Sequence, residues 1–170
     1  YSNYVPIFSM IHTGYEEGDY TPLIDIVVGD DGAYQAPVRV KVLVRDDGGA
    51  LGPNHNSGVY VNDGRWHSLV VMRAKGNWKV YLDGVKRIDF SGVASGEVSL
   101  DWIAIGAEMR WFQPDNYGNT WSPNRDEVRF FTGMLDEVCV WSGEMRPHQI
   151  EEHAAIVATA GDVDLDLDVD

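Results

Sequence analysis

Residues 64–89 read GRWHSLVVMRAKGNWKVYLDGVKRID and predict three consecutive antiparallel strands. Every second side chain falls on the same face from residue 66 to residue 73, and Trp78, Val80 and Leu82 alternate with their neighbours farther on. Turn signals at residues 75–77 and 83–84 separate the strands, because glycine tolerates a positive φ and aspartate can bond its own backbone. This arrangement predicts an all-β meander.

The rest of the chain predicts further strands and one helix. Strands are expected at residues 1–11, 23–28, 38–44, 98–106 and 130–141, and a helix at residues 144–160 with Pro147 in its first turn. Residues 51–58 are polar and predict a loop. The strand that begins at residue 38 places four valines on one face, and Arg39, Lys41 and Arg45 on the other. We therefore expect a half-exposed strand with a basic outer row.

Two segments resemble the laminin G-like, concanavalin A-like lectin and glucanase jelly rolls. They are Asp63-Gly64-Arg65-Trp66-His67-Ser68-Leu69 with Trp78-Lys79-Val80-Tyr81-Leu82-Asp83-Gly84, and the closing strand Phe131-Thr132-Gly133-Met134-Leu135-Asp136-Glu137-Val138-Cys139-Val140-Trp141. The resemblance spans residues 4–155 and implies a two-sheet antiparallel jelly-roll sandwich with one short C-terminal helix, in which His67 is structural. Family members carry one or two earlier strands, so the N-terminal edge is expected to be incomplete or completed by another segment.

Length and composition predict one domain with an acidic extension. At 170 residues the chain can bury one core but is short for two. Residues 1–160 are expected to form the jelly roll, and residues 161–170 either an acidic linker or the start of a dockerin-like calcium loop. The chain begins with Tyr1 and not with methionine, so we expect a piece of a larger modular protein.

Charge and cysteine content restrict the expected partners. The chain has 27 acidic and 13 basic residues, a net charge of -14, which argues against nucleic acid, anionic membranes and heparin-like polymers. No window is long and apolar enough for membrane insertion. The single cysteine, Cys139, lies between Val138 and Val140 and is expected to be a buried thiol.

Patterns typical of catalysis are absent from the sequence. Glucan hydrolases of the resembled fold carry E-x-D-x-x-E on one strand, whereas the nearest strand here offers only Asp25, expected to be a lone polar residue on an outer face. The five histidines lack metal-ligand spacing, and neither a G-x-S-x-G elbow nor a phosphate loop occurs. The chain is therefore predicted not to be an enzyme.

Residues 108–126 form a long insertion that is the predicted ligand site. Sugar rings present apolar C–H faces and a polar rim, so lectin sites combine aromatic platforms with amide and carboxylate groups. The candidate glycan-binding residues are Trp111, Phe112, Asp115, Asn116, Tyr117, Asn119 and Trp121. A protein interface and packing against the core are alternatives for the same loop. The other tryptophans, Trp66, Trp78, Trp102 and Trp141, occupy strand positions and are expected in the core.

Acidic turns supply candidate calcium ligands, because hard cations prefer several carboxylate and carbonyl oxygens. The resemblance implies a calcium ion between an early loop and Asp136 of the closing strand, and turns at residues 30–32 and 46–48 are further candidates. In the tail, Asp162, Asp164, Asp166 and Asp170 look like ligands of a first dockerin loop. Leu167 stands where that loop needs glycine, so a solvated linker or an acidic strand is an alternative.

The resemblance and these patterns imply a non-catalytic binding module of a secreted or cell-surface bacterial protein. Carbohydrate binding through the 108–126 loop, with calcium support, is the first function expected. Protein adhesion or assembly is an alternative from another class, and an accessory domain beside a glycan-processing enzyme is a third. The expected partners are a glycan or an extracellular protein, together with other domains of the same larger protein.

Overall fold

The computed structural model describes residues 5–11, 23–29, 39–48, 51–74, 76–100, 102–107, 111–112, 122–123 and 130–160. Within these residues the chain forms ten strands and one helix. They are β1 (Val5–Ile11), β2 (Leu23–Gly29), β3 (Arg39–Arg45), β4 (Leu51–Tyr60), β5 (Leu69–Ala74), β6 (Asn77–Leu82), β7 (Val85–Phe90), β8 (Trp102–Ile105), β9 (Trp111–Phe112), β10 (Ser122–Pro123) and α1 (Pro147–Ala160). The predicted all-β class with one short C-terminal helix is confirmed.

The strands form two main antiparallel sheets. One has five strands in the order β4-β3-β2-β1-β8, and the other is the three-stranded meander β5-β6-β7. Strands β9 and β10 form a separate two-stranded ribbon. This arrangement is consistent with the predicted concanavalin A-like sandwich.

The turns of the meander form where the sequence predicts them. Asp83 and Gly84 both have positive φ, 53° and 76°, as a two-residue hairpin with the right-handed twist of its strands requires. Gly76, between β5 and β6, has a φ of 76°, and a Cβ atom there would lie 2.6 Å from the Cβ of Ser95. Glycine at position 76 is therefore favoured both by the positive φ of the turn and by the close approach of Ser95.

The core lies between the two sheets. Val42 and Val44 of β3 pack with Trp78 and Val80 of β6, and Ile88 of β7 closes the same cluster. All five side chains are almost fully buried. Because alternate residues of β3 point to opposite faces, burying its valines leaves Arg39, Lys41 and Arg45 on the face away from the meander.

Helix α1 begins at Pro147, where a missing backbone N–H has no cost. The side chain of Gln149 reaches back and accepts a hydrogen bond from the backbone N–H of Arg146 at 2.9 Å, which is half of a capping box. Ile150 is buried, and Gly84 approaches Ala154 so closely that an added Cβ would lie 3.2 Å from its Cβ. The helix therefore packs against the turn between β6 and β7.

The prediction of a closing strand at residues 130–141 is wrong. Phe130 forms a single antiparallel bridge with Ala107, and the N–H of Phe131 donates to the carbonyl of Gly106 at 2.8 Å. Beyond that contact residues 131–146 form no strand. Alternating apolar side chains favour an extended backbone, but a strand also needs a neighbour to complete its hydrogen bonds.

Several side chains expected in the core are exposed. Cys139 is exposed, Trp141 is 65% exposed and Trp66 is 37% exposed, whereas Trp78 is buried as predicted. Burial of Cys139 was inferred from its apolar neighbours, but Val138 and Val140 are themselves exposed. Trp66 precedes β5, which begins only at Leu69. The surroundings of the Trp102 side chain lie outside the described residues.

Two further boundaries differ from the sequence prediction. The segment expected to be a polar loop, residues 51–58, belongs to β4, because its backbone pairs with β3 whatever its side chains are. The strand expected at residues 98–106 is limited to β8. Ile103 and Ile105 are 53% and 54% exposed, so the face of β8 that carries them is not buried.

Candidate functional site

The outer face of the five-stranded sheet, the one turned away from the meander, carries the basic row that the sequence predicts. Arg39, Lys41 and Arg45 project from β3 on this face and are half-buried, while the intervening valines are buried in the core. Long basic side chains can lay their methylene stems along a sheet and keep the charged group accessible. The Nε atoms of Arg39 and Arg45 are themselves buried, so these two side chains lie against the sheet.

This outer face is closed on one side and open on the other. Over β1 and β2, the residues Pro6, Ser9, Asp25 and Val27 are all buried. Over β3 and β4 the side chains become half-buried, and Tyr60 is 46% exposed. A ligand can therefore reach the ring of Tyr60 at the end of β4.

A bulge in β4 brings an aromatic ring to the open half. Arg39 pairs with Tyr60 and Lys41 pairs with Asn56, so β4 advances four residues while β3 advances two. Gly58, with a φ of 72°, lies in this bulge, and its N–H donates to the side-chain oxygen of Asn56 at 3.0 Å. Bulges re-aim side chains and occur often beside binding sites.

The bulge places Tyr60 against Arg39. The Cζ atom of Arg39 lies 4.9 Å from the centre of the Tyr60 ring, and its Nη2 donates to the Tyr60 hydroxyl at 3.1 Å. Together Arg39, Lys41 and Arg45 of β3 with Asn56 and Tyr60 of β4 form a surface that we call the basic face. It combines one exposed ring with several hydrogen-bonding groups.

Asp25 lies at the edge of the basic face and is 1% exposed. The Oγ of Ser9 donates to its Oδ1 at 2.5 Å. The register places Asp25 opposite Leu43 and diagonal to Lys41 and Arg45. Asp25 is therefore on the outer face, as predicted, but it is not a lone polar residue.

The described part of this face carries one carboxylate. Glycoside hydrolases need two carboxyl groups at a defined separation, one as the acid and one as the nucleophile or base. Asp25 is the single acidic side chain among the described residues of the outer face.

The predicted glycan residues lie mostly outside the described part of the chain. Trp111 and Phe112 form β9, which pairs with β10 so that Trp111 lies opposite Pro123 and Phe112 opposite Ser122. The chain between the two strands contains Asp115, Asn116, Tyr117, Asn119 and Trp121, which are outside the described residues. The structure thus brings the two ends of the predicted loop together.

Of the candidate calcium ligands, Asp136 and the turn at residues 46–48 lie among the described residues, and the calcium site stays a prediction. The carboxylate of Asp136 is exposed, and its Oδ1 accepts a hydrogen bond from the N–H of Glu137 at 2.8 Å. Among the described residues no group of three or more His, Cys, Asp or Glu side chains is arranged to hold a metal ion. The tail residues Asp162, Asp164, Asp166 and Asp170, and the turn at residues 30–32, lie outside the described residues.

The acidic turn at residues 46–48 serves the fold. Asp46 accepts hydrogen bonds from the backbone N–H groups of Gly48 and Gly96, both at 3.1 Å. Asp47 accepts from the backbone and the hydroxyl of Ser99, both at 2.9 Å. These two carboxylates fasten the β3–β4 turn to the loop that follows β7.

His67 lies between two carboxylates at the start of the meander. Its Nδ1 is 2.8 Å from Asp83 Oδ2, and its Nε2 is 3.1 Å from Asp63 Oδ1. Asp83 also accepts a hydrogen bond from the N–H of Ser68 at 3.0 Å. These contacts tie the β6–β7 turn to the beginning of β5, so His67 has a structural role.

The two carboxylates shift the protonation of His67. Burial, the largest contribution, lowers its pKa, but the hydrogen bonds and charges of Asp83 and Asp63 together raise the pKa above its usual 6.5. The pKa of Asp63 is lowered, first by the hydrogen bond from the Arg65 backbone and then by His67. A raised folded-state pKa contributes stability below 6.5 that is lost as the pH rises through the folded value.

Replacing His67 with glutamine is therefore expected to have a pH-dependent effect. At about pH 6, where the imidazolium can donate to both carboxylates, His67→Gln should lower the melting temperature by about 2–4 °C. At about pH 9 the loss should be smaller, because wild-type His67 is then neutral and donates to one carboxylate. Melting curves by circular dichroism measure both values. An equal loss at the two pH values would contradict this role of the imidazolium.

The sequence revealed the basic row but not its aromatic neighbour. Asn56 belongs to residues 51–58, which the sequence predicts to be a polar loop, and Tyr60 follows this segment. The sequence contains one usable signal. A strand that carries cations on one face must pair with a neighbouring strand, and side chains of that neighbour lie beside the cations. The position of Tyr60 depends on the bulge, which only the register shows.

The comparisons with known proteins agree with this architecture. A family model described as the concanavalin A-like lectin/glucanases superfamily, of laminin G type, matches residues 17–151. The comparisons with curated proteins and with solved structures give no match. No helix among the described residues is long and apolar enough to cross a membrane. Because the family match covers most of the chain and the two antiparallel sheets fit it, the chain belongs to the concanavalin A-like lectin/glucanases superfamily.

Proposed function

We propose that the chain is a non-catalytic carbohydrate-binding module and that a glycan binds to the basic face. Laminin G-like domains are typically binding modules, commonly extracellular, and take glycans or proteins as ligands. The observation that carries the proposal is the exposed ring of Tyr60 beside Arg39, on the open half of a sheet.

The chemistry of the basic face fits a sugar. The ring of Tyr60 can pack against the C–H face of a pyranose, while guanidinium, ammonium and amide groups can bond its hydroxyls. Arg39 already holds the ring in place through its contact and hydrogen bond, which lowers the entropy lost on binding. A preformed aromatic and polar surface is what a carbohydrate site needs.

The 108–126 loop is part of the same proposal as a second contact region. The ribbon of β9 and β10 gathers its two ends, and the intervening sequence is rich in aromatic and amide side chains. A calcium ion bound through Asp136, and further ions bound by the tail, would support such a site electrostatically. We also propose that the chain is part of a larger protein that is exported to the cell exterior.

Glycan binding by Tyr60 can be tested with a matched variant. Isothermal titration calorimetry against neutral and acidic polysaccharides is expected to find a saturable ligand, and Tyr60→Ala should weaken it about tenfold, a loss of about 1.4 kcal/mol. Tyr81→Ala removes a half-buried tyrosine from the other sheet and should leave the affinity unchanged. Trp111→Ala reports whether the loop contributes.

Two outcomes would contradict the proposal. One is the lack of any response to all polysaccharides, with and without calcium. The other is a ligand whose affinity is the same for wild type, Tyr60→Ala and Trp111→Ala, because neither the basic face nor the loop would then take part.

A second function, adhesion or assembly through protein contacts, is favoured by a different observation. Met134, Val138, Val140 and Trp141 expose apolar side chains on one extended segment, and β8 exposes Ile103 and Ile105. Exposed apolar surface of this extent is typical of interaction sites. Sedimentation equilibrium distinguishes the two functions: a concentration-dependent dimer supports assembly, and a monomer at all concentrations argues against self-association.

A further inference from the structure

We infer that the edge of the five-stranded sheet at β8, together with residues 130–141, binds an extended peptide segment of a partner protein, in which apolar residues alternate with basic ones. This inference rests on the second proposed function, adhesion or assembly through protein contacts, and specifies the partner. The juxtaposition that supports it is an edge strand with exposed core-facing side chains, beside a segment whose apolar side chains are also exposed.

Two rows of apolar side chains cross the core-facing side of the five-stranded sheet. The strand registers align Val44, Ile24, Met10 and Ile103 in one row, and Val42, Ile26, Phe8 and Ile105 in the other. Val42 and Val44 are fully buried at one end of the rows, whereas Ile103 and Ile105 are more than half exposed at the other end. The buried core therefore extends across only part of this sheet.

The meander covers the end of the sheet that contains β3 and β4. Trp78 and Val80 of β6 pack against the two buried valines of β3, and β4 contacts both β6 and β7. Ile24 and Ile26 of β2 lie at the margin of this cluster and are partly buried. Strand β8 lies two strands farther away, so its isoleucines form an apolar surface that the described part of the meander does not cover.

The edge of β8 also presents backbone groups for pairing. Strand β8 is the outermost strand of its sheet, and among the described strands it pairs with β1 alone. Backbone groups alternate between the two edges of an antiparallel strand, and the N–H of Gly106 donates to the carbonyl of Ile7 on the β1 side. The N–H and C=O groups of Ile103 and Ile105 therefore point to the open edge, where an extended peptide can add as a further strand.

The apolar surface continues onto residues 130–141. Phe130 bridges to Ala107 just past the end of β8, and a Cβ atom added at Gly106 would lie 3.7 Å from Leu135 Cδ1. The large apolar residues that are between 38% and 73% exposed here are Ile103, Ile105, Phe130, Met134, Leu135, Val138, Val140 and Trp141. Their exposed area is on the order of 800 Å², about what one partner contributes to a stable interface and more than the largest patch of a typical monomer.

The charge of this surface indicates which partner fits. Asp136 and Glu137 are exposed in the middle of it, residues 130–141 contain no lysine or arginine, and neither acid forms an ion pair within the described part of the chain. The whole chain has a net charge of -14. A second copy would bring the same acids and the same net charge, so it is repelled, whereas an apolar segment with basic residues is attracted.

Three labelled peptides test the mode of binding. The first is a ten-residue peptide in which valine alternates with lysine, the second has proline in place of one central valine, and the third has glutamate in place of every lysine. Fluorescence anisotropy with the whole chain is expected to show saturable binding of the first peptide. The proline and glutamate peptides should bind at least about tenfold more weakly, because proline removes a backbone donor and glutamate reverses the charge.

Surface variants locate the binding site. Ile105→Asp and Val140→Asp are each expected to weaken binding of the valine–lysine peptide about tenfold, because each places a carboxylate in an apolar contact. Val85→Asp makes the same change at an exposed valine on β7, in the other sheet, and is expected to leave the affinity unchanged. Thermal melting of each variant verifies that it is folded.

The outcomes separate this inference from the second proposed function. Equal binding of the lysine and proline peptides, or an equal loss in Val85→Asp and Val140→Asp, would overturn the inference, because charge alone would then explain the attraction. Lack of binding of the valine–lysine peptide would also overturn it. If sedimentation equilibrium then showed a dimer that Val140→Asp abolishes, the surface would bind a second copy and the assembly function would stand. A monomer that binds no peptide would contradict both.

Discussion

Replacing Trp78 with alanine is expected to lower the free energy of unfolding by about 3–5 kcal/mol. Trp78 is 2% exposed and packs with Val42, Val44 and Ile88 between the two sheets. The guanidinium carbon of Arg73 lies 5.4 Å from the centre of its ring and adds a cation–π contact. A domain of ordinary stability has about 5–15 kcal/mol in total, so the variant should be close to unfolding. Urea denaturation followed by far-ultraviolet circular dichroism measures the difference.

Trp141→Ala is the matched control, because the same side chain is removed from an exposed position. Trp141 is 65% exposed, and its replacement is expected to change the free energy of unfolding by no more than about 0.5 kcal/mol. An equal loss in both variants would contradict the packing described here, since it would mean that residues 130–141 are buried in solution.

A smaller substitution, Trp78→Phe, tests how much of the loss in free energy comes from the size of the side chain and how much from its indole N–H. The Nε1 of Trp78 is buried and has no hydrogen-bond partner among the described residues. Trp78→Phe keeps an aromatic ring and removes this donor, so it should cost less than alanine.

The elements that local sequence determines could be predicted. The meander β5-β6-β7 follows from period-2 alternation and from the turns at Gly76 and Asp83-Gly84, whose backbone conformations depend on nearby residues alone. The basic outer row of β3 follows in the same way, because its three valines require one face to be buried. These features need no knowledge of distant partners.

The elements that depend on distant partners could not be predicted. Strand β4 forms because β3 offers a free edge to a polar segment, and residues 131–141 do not form a strand although their pattern favours one. Strand formation is decided by pairing as much as by propensity. Asp25 and Ser9 are 16 residues apart in the sequence, and only the β1–β2 register brings them opposite each other.

The candidate site also combines features that local sequence predicts with features that depend on strand pairing. Its cations could be identified from the sequence, although the chain as a whole carries a net charge of -14. A sum over the chain carries no information on where charges lie, and binding depends on the local field. Tyr60 joins Arg39 through a bulge, which is a property of the paired strands.

Replacing Ser9 with alanine is expected to lower the free energy of unfolding by about 1.5–3 kcal/mol, as for a hydrogen bond to a charged group. Ser9 is fully buried, and its hydroxyl donates to the carboxylate of Asp25, which is 1% exposed. Removing the donor takes one hydrogen bond from a carboxylate that water does not reach, while the volume lost is small.

Ser57→Ala provides the comparison that isolates the charge. Ser57 is also buried, but its hydroxyl donates to the neutral carbonyl of Val59 at 3.0 Å, so its loss should cost only about 0.5–1.5 kcal/mol. Urea denaturation of both variants under one set of conditions gives the difference. If Ser9→Ala costs no more than Ser57→Ala, the carboxylate of Asp25 does not depend on Ser9. A larger cost for Ser9→Ala would show that the carboxylate of Asp25 depends on the hydroxyl of Ser9.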